Sequence, residues 1–268
     1  MQEAPKQSIH TRIWREEPEP DNPFATKAAY CHGYDVYGEM LGRARWVDML
    51  FLLFRGEAPS PTQADLLEAL AVALANPGPR DPSVHAAMCG GVAGSTAAAS
   101  LMAALSVGAG RYGGARDVFD AMNMWTKAGN DVNAWVRHAC AGATQTLDIW
   151  PEAERPAGFD PHGVSTATTV LQVLDRLVSI GKSPHLTWLA ANRQALELAM
   201  GAPLALGGVA AAAFIDLGMS AKEGELLYLL LRLPGAAVHA LEQEQYGVKK
   251  FPFYSVELED DPLLREAS

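Results

Sequence analysis

The sequence predicts an all-α fold, and three observations carry that prediction. Apolar residues recur at spacings of three and four along several segments. Those segments are bounded by capping and stopping residues. Neither a convincing alternating strand run nor an Asn-Gly hairpin signal is present.

Taken in order, residues 1–24 read as an extended arm punctuated by proline. Residues 34–56 carry a helix signal in which Trp46, Met49, Leu50 and Leu53 repeat at helical spacing, with Gly56 as C-cap. A second helix follows, capped by Ser60 or Thr62 and stopped by Asn76-Pro77-Gly78. From Ala86 to Gly110 no residue is charged. That length would permit a membrane span, but its Ala, Gly and Ser content favours a third, buried helix of a soluble protein. Small residues there let helix backbones approach closely. Two more helices are expected at 115–129 and 131–148, then a loop at 150–163. Further helices follow at about 165–180, 185–200 and 203–217. The stretch "SAKEGELLYLLLRLPGAAVHALEQEQ" reads as a helix, a Pro-Gly break and another helix, before an extended acidic tail. No repeat of 20–50 residues is visible.

At 268 residues there is ample chain for a real core, in one large domain or two modest ones. A net charge of −10 argues against nucleic acid as partner, and the only adjacent pair of cations is Lys249–Lys250. Small anionic substrates stay open, because one pocket can oppose the global sign. Cys31, Cys89 and Cys140 are odd in number and widely spaced. They read as reduced structural thiols of a cytoplasmic protein. The N-terminus has no apolar signal core.

Several chemistries lack their motif. "GGVAGST" has no lysine to reach a phosphate, and no HExxH, metal-spaced Cys/His cluster or GxSxG elbow occurs. No metal or permanently bound cofactor is expected.

Three segments carry a resemblance. They are "RWVDMLFLLFRGEAPSPTQADLLEALAVALANPGPRDPSVHAAM", "AALSVGAGRYGGARDVFDAM" and "FIDLGMSAKEGELLYLLLRLPGAAVHALEQEQ". In that order they resemble the citrate synthase superfamily, above all its short citryl-CoA-lyase-like members. The last, with its Arg-x-Pro-Gly-x-x-x-His-x-x-Glu pattern, is the most specific, and the similarity covers roughly residues 30–255. The resemblance implies a citrate-synthase-like, two-domain, all-helical dimer. Residues 1–112 and 207–268 would form the large domain and 113–206 the small one, with a cleft that closes over substrate. It implies a coenzyme A thioester and a carboxylate as small-molecule partners, and a likeness to lyases or acyltransferases that break or make a carbon–carbon bond. A homodimer is expected, with a paralogous subunit as the other option.

That chemistry needs a carboxylate to take the proton next to the thioester and a histidine to bond its oxygen. A second histidine serves the other carbonyl. This chain departs at all three. Tyr112 stands where the family has the histidine of a His-Gly-Gly-Ala bend. Pro161 stands for the second histidine, with His162 one step later. Gly207 stands for the aspartate. Arg232 matches a family arginine that binds a substrate carboxylate. Lys249 and Lys250 are the nearest stand-ins for a missing C-terminal basic motif.

Each residue keeps two readings. Tyr112 either donates its hydroxyl to a thioester oxygen or fills space that a substrate vacated. His162 is an acid–base group or a solvated loop residue. Arg232, set among leucines, needs a partner, either a ligand carboxylate or Glu242. Arg116 is a substrate-binding candidate, but Arg116 and Asp117 read more simply as an exposed helix start. His239 reads as structural. Two functions follow: an enzyme acting on a coenzyme A ester with Tyr112, His162 and Arg232 at its centre, or a catalytically inactive partner or regulatory subunit.

Overall fold

The computed structural model of the chain describes residues 9–141, 156–181, 183–252, 254–256 and 258. The expected helix beyond Ala141, the first part of the loop from 150, the side chain of Cys140 and the acidic tail from 259 lie outside them. The chain divides into two units: Met1–Asn76 with Gly108–Arg232, and Pro77–Val107 with Leu233–Ser268.

The first unit begins with three strands that the residue pattern had not revealed. β1 (Trp14–Pro18), β2 (Thr26–Cys31) and β3 (Tyr34–Asp35) form an antiparallel sheet in the order β1-β2-β3. Trp14 pairs with Cys31 and Glu17 with Ala28. Only Ala29 and Cys31 of this sheet are fully buried, so the strands lack the alternation that betrays a half-buried sheet. Burial pushes the Cys31 thiol up from its ordinary value. The helical stretch expected from residue 34 is first a π-helical turn, Val36–Met40, and only then α1 (Trp46–Arg55). The buried face of α1 is Val47, Leu50, Phe51 and Leu52, whereas Trp46 is exposed at the first turn. The expected stripe was therefore one residue out of register. Gly56 caps α1 in the left-handed region, φ 75°.

α2 (Pro61–Leu74) starts with a reciprocal cap between Ser60 and Gln63, and proline occupies its first turn. Arg45 ties α1 to α2 through Asp65 and Glu68, both at 2.8 Å. The core is built by α5 (Ala115–Ala128), α7 (Thr168–Ile180), α8 (Pro184–Met200) and α9 (Leu206–Asp216). α9 lies at its centre, packed by α5, α7 and α8, and every residue from Gly207 to Phe214 is buried. Between α5 and α8, α6 (Val132–Ala141) brings Trp135 edge-on to Trp125 at 5.0 Å. Trp188 and His185 approach the same Trp125 ring at 5.3 Å. Asp216, its side chain fully buried, accepts from the amides of His185 and Leu186 and bonds the His185 ring, which caps α8 from α9.

In the second unit the uncharged stretch is two helices rather than one. α3 (Pro82–Val92) and α4 (Ala97–Gly108) are separated at Gly94, φ 70°, and Thr96 caps the second. The expected close approach is present. A side chain at Gly90 would press on Ser100, and one at Gly91 would strike the Ala240 backbone. Ala240 belongs to α10 (Ala221–Tyr246), which runs without a break through Pro234. Gly235 takes no left-handed φ and ends nothing. Packing on either side explains this: Leu227, Tyr228 and Leu231 are buried in the first unit, and Ala236 and Ala240 in the second. Among the described residues no helix is long and apolar enough to cross a membrane.

Candidate functional site

Two glycines shape the bend between α4 and α5. Gly113 has φ 71°, and a side chain on Gly114 would collide with the carbonyl oxygens of Gly108 and Gly110. Gly114 is then the N-cap of α5 with no side chain to offer. Arg232, only 6% exposed, reaches this bend from α10: it donates to the Gly113 carbonyl at 3.2 Å and lies 4.8 Å above the Tyr228 ring. A buried guanidinium has five N–H donors in a fixed fork. One of them engages the Gly113 carbonyl, and the fork is of the shape that matches a planar carboxylate. Tyr112 stands on the same bend with 67% of its surface exposed.

Within the first turn of α5, the chain departs from the sequence reading. Asp117 does not sit at an exposed helix start. It turns across to the loop before α7 and accepts from the Gly158 amide at 3.1 Å. Its other oxygen lies 3.0 Å from where a Cβ on Gly207 would stand. Gly158, φ 85°, is pressed against α9 so tightly that its own Cβ would come within 2.9 Å of the Gly208 Cα. Helix α5, this loop and the start of α9 therefore converge on one carboxyl group. Burial pushes that carboxyl up to about 6, with Asp120 adding to the rise and the Gly158 hydrogen bond opposing it.

The loop itself is pinned. Ala205 donates to the Gly158 carbonyl, Asp160 donates to that of Pro203, and Phe159 bridges to Leu204. Asp160 folds the next turn by accepting from the His162 amide at 2.9 Å. Beyond it opens a cavity of about 470 Å3 lined by Gly163, Thr166, Arg193, Glu197 and Pro203. Burial pushes the Glu197 carboxyl up, but hydrogen bonds from Thr166, Arg193 and the Leu204 amide outweigh it and hold the group below its ordinary value. Arg193 gives both its contacts on Glu197 from one nitrogen, at 2.8 and 2.6 Å.

No protein-family profile matches the chain, and no curated protein matches it in sequence. Solved structures do. Citryl-CoA lyase from Hydrogenobacter thermophilus superposes with a TM-score of 0.68 at 17% identity, over 97% of this chain and 100% of that one. ATP citrate lyase from Methanothrix soehngenii, in complex with citrate and coenzyme A, gives 0.71 at 17% identity. A variant of the Methanosaeta concilii enzyme with (3S)-citryl-CoA gives 0.70 at 16%. This chain spans 42% of each of those longer chains. The fold is that of citryl-CoA lyase.

On that fold the bend gathers Tyr112, Arg116 and Arg232 around Gly113 and the start of α5. Arg116 is already engaged: it pairs with Asp120 at 3.6 Å and Glu225 at 3.8 Å, and stacks over Phe119 at 4.0 Å. His162 lies exposed on the pinned loop. Lys249 and Lys250 form an exposed 3-10 turn in the second unit, with Lys250 5.4 Å from the Tyr246 ring. In the same unit His239 faces Glu242 at 3.5 Å. Asp117, expected at an exposed helix start, is instead bonded across to the Gly158 amide. Among the described residues no cluster of His, Cys, Asp and Glu is arranged to hold a metal ion.

Proposed function

We propose that this protein binds a coenzyme A thioester with a carboxylate co-substrate and breaks or makes a carbon–carbon bond beside the thioester, as a citryl-CoA lyase does. The observation that carries the reading is the buried Arg232, aimed at a glycine bend on a fold shared from end to end with citryl-CoA lyase. Arg232 anchors the carboxylate. The Tyr112 hydroxyl donates to the thioester oxygen as negative charge collects there. His162 exchanges the proton of the second carbonyl, and Arg116 supplies positive charge to a polyanionic ligand. Residues 113–206 move as the small domain, and the protein works as a cytoplasmic homodimer.

The test is direct. Purified protein is mixed with citryl-CoA, release of oxaloacetate is followed, and melting is compared with and without coenzyme A. Turnover and a rise in Tm are expected. Replacing Arg232 by Lys is expected to raise KM for the carboxylate about tenfold or more, because a point charge replaces a fork. Absence of both turnover and thermal shift overturns the reading.

A second reading rests on Gly207 and Pro161, which leave two family positions without a reactive side chain. It makes the chain an inactive partner subunit. Stable co-purification with a catalytic relative, and no turnover alone, would favour it.

A further inference from the structure

The proposed reaction requires a group that takes a proton from carbon, and position 207 has no side chain to do it. The first unit holds one carboxyl that is partly buried, turned away from its own helix terminus and set against α9 at that glycine. We propose that Asp117 is the acid–base residue of this site, its carboxyl delivered from α5 into the space that a side chain on Gly207 would fill. The inference rests on the reading of the protein as a coenzyme A thioester enzyme.

Three features of the junction support the assignment. Gly207 and Gly208 clear the space: a Cβ at 207 would stand 3.0 Å from Asp117 Oδ2, and one at 208 would meet the Gly158 carbonyl. The Gly158 amide holds Oδ1 at 3.1 Å, which fixes the carboxyl with Oδ2 turned toward Gly207. The loop giving that amide also carries His162, and the bend one turn before Asp117 carries Tyr112 and Gly113, where Arg232 bonds. Asp117 and Tyr112 thus lie on adjoining backbone, and Arg232 of α10 reaches the same bend.

The charges around Asp117 favour a group that can switch. On α5, Arg116 is paired with Asp120 and with Glu225 of α10. Asp120 adds a like charge, and α9 presents only uncharged residues from Leu206 to Ile215. The loop supplies the Gly158 amide and, further on, the exposed Asp160 and His162. With no cation bound to it in this set, the carboxyl titrates near 6, where both its states are populated. In the ionised state it takes the α-proton: a C–H bond breaks, an O–H bond forms on Asp117, and the electron pair passes into the enolate, whose charge rests on the thioester oxygen. In the cleavage direction the protonated carboxyl returns that proton to carbon.

The experiment uses acetyl-CoA and separates binding from proton transfer. Calorimetry measures affinity, and loss of the methyl signal in D2O by proton NMR measures exchange. Wild type is expected to bind and to exchange, with a rate that falls as pH drops below about 6. D117N is expected to bind within about threefold of wild type, to exchange at least a hundredfold more slowly and to lose the pH limb. Equal exchange by D117N and wild type overturns this inference and leaves the functional reading standing. Absence of acetyl-CoA binding by wild type overturns both. Should D117N fail to fold, the Asp117 carboxyl carbon is followed by NMR in wild type. Its titration is expected to move when acetyl-CoA binds, and an unmoved titration overturns the proposal.

Discussion

Asp117 shows how one side chain can be read correctly by local rules and still be misplaced. An acid in the first turn of a helix belongs there, because the helix dipole favours it. What the sequence does not contain is the loop at Gly158, forty-one residues on, that offers a better amide. The consequence is measurable without any substrate. The folded carboxyl titrates near 6, above its ordinary value of 3.8. The native state therefore holds this proton more tightly than the unfolded chain. The associated stability is present below about pH 4 and is lost as pH rises through 6, up to ~3 kcal/mol in all. D117N stays neutral and still accepts from Gly158. Its Tm is expected to gain on that of wild type by about 5 °C between pH 4 and pH 7. A constant difference across that range would mean that the carboxyl is solvated. Arg232 was legible as a buried charge needing partners. Gly113 as one of them was not, since a backbone carbonyl leaves no mark in a sequence.

At the scale of elements, legibility followed periodicity and caps. α2, α5, α7, α8 and α9 lie within a few residues of their expected bounds, because apolar spacing, Ser60 and Gly201 punctuate them. The sheet was hidden because one face does not alternate, and α3 and α4 merged because neither carries a charge between Ala86 and Gly108. α10 was split in error because Pro234-Gly235 is a stop signal that tertiary packing overrides. That override has a cost: Pro234 is exposed and gives no N–H to the carbonyl of Leu230. P234A is therefore expected to raise stability by about 1–3 kcal/mol, read as a higher midpoint in urea at unchanged m-value. A fall in midpoint would show that the proline ring packs in place rather than merely being tolerated.

Across the whole molecule, the two units are built to different densities. The core of the first includes Phe51, Trp125, Trp135, Phe159 and Tyr228, with the fully buried Phe214, Leu196 and Leu227. That of the second consists of Val84, Ala87, Met88, Ala104, Ala236 and Ala240, with Phe251 at its edge. Alanine lets backbones meet, as Gly91 meets Ala240, but removes little apolar area from water. At ~25 cal/mol per Å2 such a core holds its helices with a few kcal/mol at most. Local opening follows local stability rather than the global value. Amides of α3 and α4 are therefore expected to exchange with deuterium at least a hundredfold faster than those of α9, whose residues 209–214 are fully buried. Mass spectrometry of peptides covering 82–108 and 206–216 reads the two rates in one experiment. Uniform protection would mean that the alanine-based unit opens only when the whole chain unfolds, so that its stability comes from outside its own small core.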